Sequence, residues 1–119
     1  MADEALFIGW GDVVRGRESR SLDVFNESLQ YYGQLQRDGK IESFDAWFLA
    51  PHGGDLAGFF LLHGEREALD AVQRSPEFEL LITRAGMIVD RMGVVNAYTG
   101  EALGRLMGQF EQASAELGG

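Results

Sequence analysis

His63 and Glu42 are the two residues of this sequence best suited to moving a proton between them. They lie near the far ends of two apolar runs, residues 41–50 and 56–63, which the turn Pro51-His52-Gly53-Gly54 folds back on each other. If that turn centres on the His52–Gly53 bond, His63 falls opposite Glu42, and a carboxylate beside an imidazole raises its basicity. A cross-strand ion pair at a sheet end is the structural alternative for the same two residues. His52 sits in the turn itself and reads as a solvated turn residue. Two histidines in such unlike settings give no metal signature.

Other residue types offer less. Arg17 and Glu18 follow Gly16 at the start of a helical pattern, where an arginine beside a helix N-terminus could hold an anion. Gly9-x-Gly11 and Gly53-Gly54 fit no phosphate-loop pattern, and no hydroxyl residue has the glycine-flanked elbow of a hydrolase nucleophile. Asp45 and Arg91 lie inside apolar strands, where a charge needs a partner, a cavity or solvent. Trp10, Tyr31 and Trp47 are of the type that lines an apolar pocket, whereas Tyr32 and Phe48 are explained by an ordinary core.

Composition narrows the partners. The 119 residues carry a net charge of −9, from 19 acids against 10 bases, and neither half holds a basic cluster. Such a surface repels phosphate backbones, so neither nucleic acid nor an anionic membrane is an expected partner. The 45% hydrophobic and 24% charged fractions are those of one ordinary globular domain spanning residues 1–119. With no cysteine there is no thiolate catalysis, disulfide or zinc–thiolate site. No metal or other cofactor is expected. The acidic start and the lack of a run near the roughly 18 apolar residues of a membrane span lead to a cytoplasmic expectation.

The elements that must position these residues follow from periodicity. Ala5 to Gly11 reads as a buried strand, and Arg17 to Arg37 as an amphipathic helix with Leu22, Phe25, Leu29, Tyr32 and Leu35 on one stripe. Ile41 to Ala50 and Leu56 to His63 form a hairpin. Glu65 to Arg74 is helical, Ser75-Pro76 interrupts it, and Glu77 to Ala85 continues as a second piece capped by Ser75. Met87 to Tyr98 is a fourth strand, and Glu101 to Leu117 a last helix with Leu103, Leu106, Met107 and Phe110 in a stripe. The order predicts an α+β, ferredoxin-like βαββαβ domain with an antiparallel four-stranded sheet and an extra C-terminal helix.

Helices can cover one face of that sheet only. The hairpin register set by a His52–Gly53 centre puts Phe44, Phe48, Phe59 and Leu61 on the helix side. Trp47, Leu49, Leu56, Phe60 and Leu62 fall on the other. It also sets Gly58 opposite Trp47, whose indole can lie over the bare backbone. An apolar second face of that size calls for a cover. A two-fold related second copy is the simplest, and the C-terminal helix folding back is the alternative.

Element order, the broken helix Ser75-Pro76-Glu77-Phe78 and the Met87–Tyr98 strand resemble the dimeric α/β-barrel superfamily over nearly the whole chain. Gly9-Trp10-Gly11, Gly16-Arg17-Glu18, Ile41-Glu42-Ser43-Phe44, Pro51-His52-Gly53-Gly54 and Gly58-Phe59 are similar to a family of small bacterial proteins of unknown role. The resemblance implies sheet-to-sheet homodimers and, in some members, an apolar ligand pocket between sheet and helices. Its activities include cofactor-independent oxygenation, lactone isomerisation and haem chemistry, so it fixes no single function. The expectation is a homodimer binding a small apolar or aromatic molecule, with oxygenase- or isomerase-like turnover as one outcome. A non-catalytic assembly or regulatory module is the alternative. Neither histidine is placed as a haem ligand.

Overall fold

The structure, a computed structural model, describes residues 2–118. Its elements run β1 (Glu4–Trp10), α1 (Glu18–Arg37), β2 (Ser43–Phe48), β3 (Gly58–His63), α2 (Arg66–Gln73), α3 (Pro76–Gly86), β4 (Gly93–Tyr98) and α4 (Gly100–Glu116). All neighbouring strands are antiparallel in the order β2-β3-β1-β4. This is the ferredoxin-like arrangement, with its second helix in two pieces and α4 appended. The break between α2 and α3 has a local cause. Pro76 takes the first helical position, where its missing N–H costs nothing, and Ser75 Oγ accepts from the Phe78 N–H at 3.2 Å.

One sheet face makes the core. Leu6 and Ile8 of β1 and Phe60 and Leu62 of β3 are buried against Tyr32 and Leu35 of α1, Leu69 and Val72 of α2, and Phe78 and Leu81 of α3. The opposite face carries Phe7, Trp47, Phe59, Leu61 and Val95, and no helix lies on it. Phe59 stacks on Phe7 and on Trp47 there, with ring centroids 5.1 and 6.4 Å apart. Trp47 and Val95 remain more than half exposed.

The hairpin register differs from the sequence expectation by one residue. Phe44 pairs with Leu62, Ala46 with Phe60 and Phe48 with Gly58, while Ser43 stands opposite His63. The strands end at Phe48 and resume at Gly58, and the loop between them turns on Gly53, whose φ of 84° lies in the left-handed region. Centring on Gly53 rather than on the preceding bond moves β3 by one position and inverts its faces. Phe60 and Leu62 therefore belong to the core, not to the open face, and Phe59 and Leu61 replace them there. Trp47 keeps the open side, and the Leu56 side chain lies over Gly9, whose added Cβ would stand 3.1 Å from Leu56 Cδ1; Leu49 lies past the end of β2.

The fourth strand is shorter than its apolar run. Arg91 adopts φ 54°, which ends the extended backbone before Gly93. Ile88 and Val89 are buried as a separate segment, with Val89 bridged to Val13. Asp90 fastens that segment to the end of β1: its carbonyl accepts from Gly11 N–H at 2.9 Å and its carboxylate from Asp12 N–H at 2.7 Å.

α4 does not fold back over the open face. It is fixed at its base, where Thr99 N–H donates to the Asp3 carbonyl and Ala102 N–H to the Asp3 carboxylate, at 2.9 and 2.8 Å. Ala102 is its one buried residue, and Leu103, Met107, Phe110 and Leu117 are exposed. The molecule is correspondingly long, 52 × 38 × 24 Å.

Candidate functional site

A cavity of about 220 Å³ opens between the helix-covered sheet face, α1 and α3. Phe25 on α1 lies 6.3 Å from Trp10 and 5.4 Å from Phe60, ring centre to ring centre, and Phe60 lies 5.3 Å from Trp10. Leu81, Ile82 and Ala85 of α3 form the facing wall, and Ile88, Val89 and Met92 close the end. Val13, Leu22 and Phe48 line the cavity yet are 40%, 65% and 67% exposed, so they form its rim. Phe48 leans over Phe25 at 4.9 Å. Gly58, opposite Phe48, has no side chain, and the Trp10 ring of the cavity wall stands in the space a Cβ would need.

Polar groups in this space are few. Ser28 Oγ donates back to the Val24 carbonyl at 2.8 Å, and Ser21 Oγ to the Glu18 carbonyl. Burial, with a smaller contribution from neighbouring Tyr31, pushes the Tyr32 phenol well above its ordinary value, so it stays a neutral donor. No lining residue is a carboxylate, an imidazole or an amine. The Arg84–Glu27 ion pair ties α3 to α1 beside the cavity.

Of the three residues the sequence marked as pocket candidates, Trp10 alone lines this cavity, together with Tyr32 and Phe48, which had read as ordinary core. Tyr31 lies outside it, its hydroxyl 3.3 Å from Ser75 Oγ, beside a larger hollow of about 490 Å³ between α1 and α2. That hollow is lined by Gln34, Asp38, Lys40 and Glu77 and lacks an aromatic wall beyond Tyr31. Trp47 is on the open sheet face. His63 is there too, and its partner is not Glu42: Nε2 stands 2.7 Å from Asp45 Oδ2. The one-residue register shift explains this, because Asp45 and His63 project from the same face of neighbouring strands while Glu42 gives its carboxylate to Ala2 N–H at 3.1 Å. Arg17 Nη1 donates to the Met87 carbonyl at 2.9 Å, pinning the start of α1 to the segment after α3. His52 staples its loop: Nδ1 accepts from Gly54 N–H at 3.2 Å, which leaves Nε2 to donate to the Leu56 carbonyl at 2.8 Å. Arg91 is held by Asp55 at 2.6 Å.

Sequence reasoning passed over the cavity walls Phe25, Ile82, Ala85, Ile88 and Met92. Phe25 stood in a helical stripe that any core would explain, and nothing in a linear pattern marks a space left unfilled. Among the described residues, no group of three or more His, Asp or Glu could hold a metal ion, and no helix is long and apolar enough to cross a membrane.

No protein-family model and no curated protein sequence matches the chain. Solved structures do. A dimeric ferredoxin-like protein of unknown function from Jannaschia sp. CCS1 superposes with a TM-score of 0.63 at 12% identity, over 81% of this chain and 99% of its own. An ethyl tert-butyl ether d (ethd) family protein from Bacillus halodurans gives 0.60 at 10% identity, over 82% and 99%. SnoaB, a cofactor-independent oxygenase from Streptomyces nogalater, gives 0.57 at 15% identity, over 83% and 95%. The class defined by these likenesses is the ferredoxin-like fold. At such identities the likeness is one of fold alone.

Proposed function

We propose that this chain is a homodimeric barrel protein that holds a small neutral apolar or aromatic molecule in the cavity beneath its helices. The observation that carries the reading is the cavity itself: aromatic on one wall, aliphatic on the other, open at a rim of exposed apolar residues. At about 220 Å³ it exceeds the roughly 150 Å³ cavity that takes up benzene in an engineered protein, which suits a ligand of one or two fused rings. A fold neighbour described as dimeric supports the pairing, and another described as a cofactor-independent oxygenase is in keeping with turnover that needs no cofactor. Turnover of that kind would draw its reactivity from the substrate, since the lining offers hydroxyls and an indole rather than a base. The same lining favours, as a second reading, a module that binds without turnover.

The test is calorimetric titration of the purified chain with 2-naphthol, alongside Ala85→Leu, which grows a side chain from α3 into the space. Saturable binding of one molecule per chain that Ala85→Leu abolishes is expected. No saturable heat, or binding indifferent to Ala85→Leu, overturns the cavity as the site.

A further inference from the structure

We propose that α4 is a dimerisation arm whose exposed stripe packs against a second copy of this chain. The inference rests on the homodimer reading above and extends it to an element outside the βαββαβ frame.

Leu103, Leu106, Phe110, Ala113 and Leu117 recur at alternating spacings of three and four, the seam of a helix that pairs with another protein surface. Leu103 is 45% and Phe110 75% exposed, and Met107 beside them is 57% exposed. Such a stripe on a wandering terminus would mean little. This helix is instead set at its base by two hydrogen bonds to Asp3 and by the buried Ala102; beyond that base Leu106 is half-buried while Leu103, Met107, Phe110 and Leu117 stay exposed.

Area and continuity name the occupant. Four strands about 4.8 Å apart, of six or seven residues each rising about 3.3 Å, make a projected face of roughly 400 Å². A stable interface buries about 800 Å² per partner. A helix about 25 Å long and about 10 Å across contributes roughly 250 Å² more, which brings the surface toward the size a dimer needs. α4 also leaves directly from β4, whose Val95 belongs to the open face, so the stripe follows one strand of that face in the chain. The fold neighbours align over 95–99% of their length but 81–83% of this chain, which leaves room for an added element of this size. A second copy presents the same two apolar surfaces and can satisfy both through one two-fold axis.

Sedimentation equilibrium on the full chain distinguishes the two claims. The variants are Met107→Glu/Phe110→Glu on α4 and Trp47→Glu on the sheet face; all three side chains are exposed in the isolated chain, so each variant should fold, as far-UV circular dichroism would verify. We expect a wild-type dimer, and a dissociation constant raised about 100-fold or more by the α4 pair. If the α4 pair leaves the constant unchanged while Trp47→Glu raises it, the arm is refuted and the sheet dimer stands. If the α4 pair dissociates the dimer while Trp47→Glu does not, the arm stands and sheet-to-sheet packing falls. A wild-type monomer overturns both.

Discussion

Trp10 lies so close over Gly58 that a Cβ on the glycine would stand 2.6 Å from Trp10 Cζ2 and 2.7 Å from the Trp47 carbonyl oxygen. Backbone on one side and an indole on the other leave little room to yield. Gly58→Ala should therefore cost about 1–3 kcal/mol of stability, as overpacked sites do. Because the displaced indole walls the cavity, 2-naphthol affinity should fall in the same variant. Urea denaturation and calorimetry check the two effects separately.

Tyr32 links the core to pH. Its phenol is 1% exposed and its pKa is raised by desolvation first and by Tyr31 second. The unfolded chain loses this proton near the ordinary value of 10.0, whereas the folded chain keeps it. The unfolded state then binds fewer protons, so stability is complete below pH 10 and declines above it, by up to about 1.4 kcal/mol per pH unit for one group. Denaturation midpoints between pH 9 and 11 should fall less steeply in Tyr32→Phe than in the wild type. Parallel slopes would assign the alkaline loss to other groups.

His63 and Asp45 pair on the open sheet face, away from the cavity, with side chains 31% and 50% exposed. Partly solvated pairs of this kind contribute about 1 kcal/mol or less. His63→Ala should leave the affinity for 2-naphthol within about twofold of wild type, a difference of under 0.5 kcal/mol. A larger loss in calorimetry would bring the histidine back into the ligand site.

Asp3 caps α4 from the other end of the chain. Thr99, the residue that begins the helix, makes no side-chain cap of its own, and the Asp3 carboxylate takes the Ala102 N–H in its place. Asp3→Ala should cost about 1 kcal/mol, the usual worth of an N-terminal cap. Amide hydrogen exchange should quicken in the first turn of α4 while the sheet keeps its protection. Uniform quickening would instead indicate global destabilisation.

The first three strands, the long first helix, the break at Ser75-Pro76 and the trailing amphipathic helix were all legible in the sequence, whereas the fourth strand is only the second half of its expected run. Each rests on a short-range cause: apolar residues spaced at two or at three and four, a proline without an N–H, a serine within reach of the next turn. The sheet with an apolar second face was legible too, because both alternating sets of the hairpin are apolar. Which residues of β3 occupy which face was not. That depended on whether a loop centres on Gly53 or on the bond before it, a difference of one residue that no local pattern settles and that inverts every side chain of β3.

The candidate site shows the same division. Trp10 announced itself by type, but its neighbours did not, since Phe25, Tyr32 and Phe48 read as ordinary core. Emptiness belongs to the assembled packing of α1, α3 and the sheet, not to any segment of chain. The proton-transfer pair went the other way: His63 and Glu42 suited each other chemically, and tertiary structure gave the histidine to Asp45 instead. The sequence alone determined the elements and their two-faced sheet, through contacts a few residues apart. Only the tertiary structure decided the register, the cavity and the bare side of α4, because each depends on where distant segments come to rest against one another.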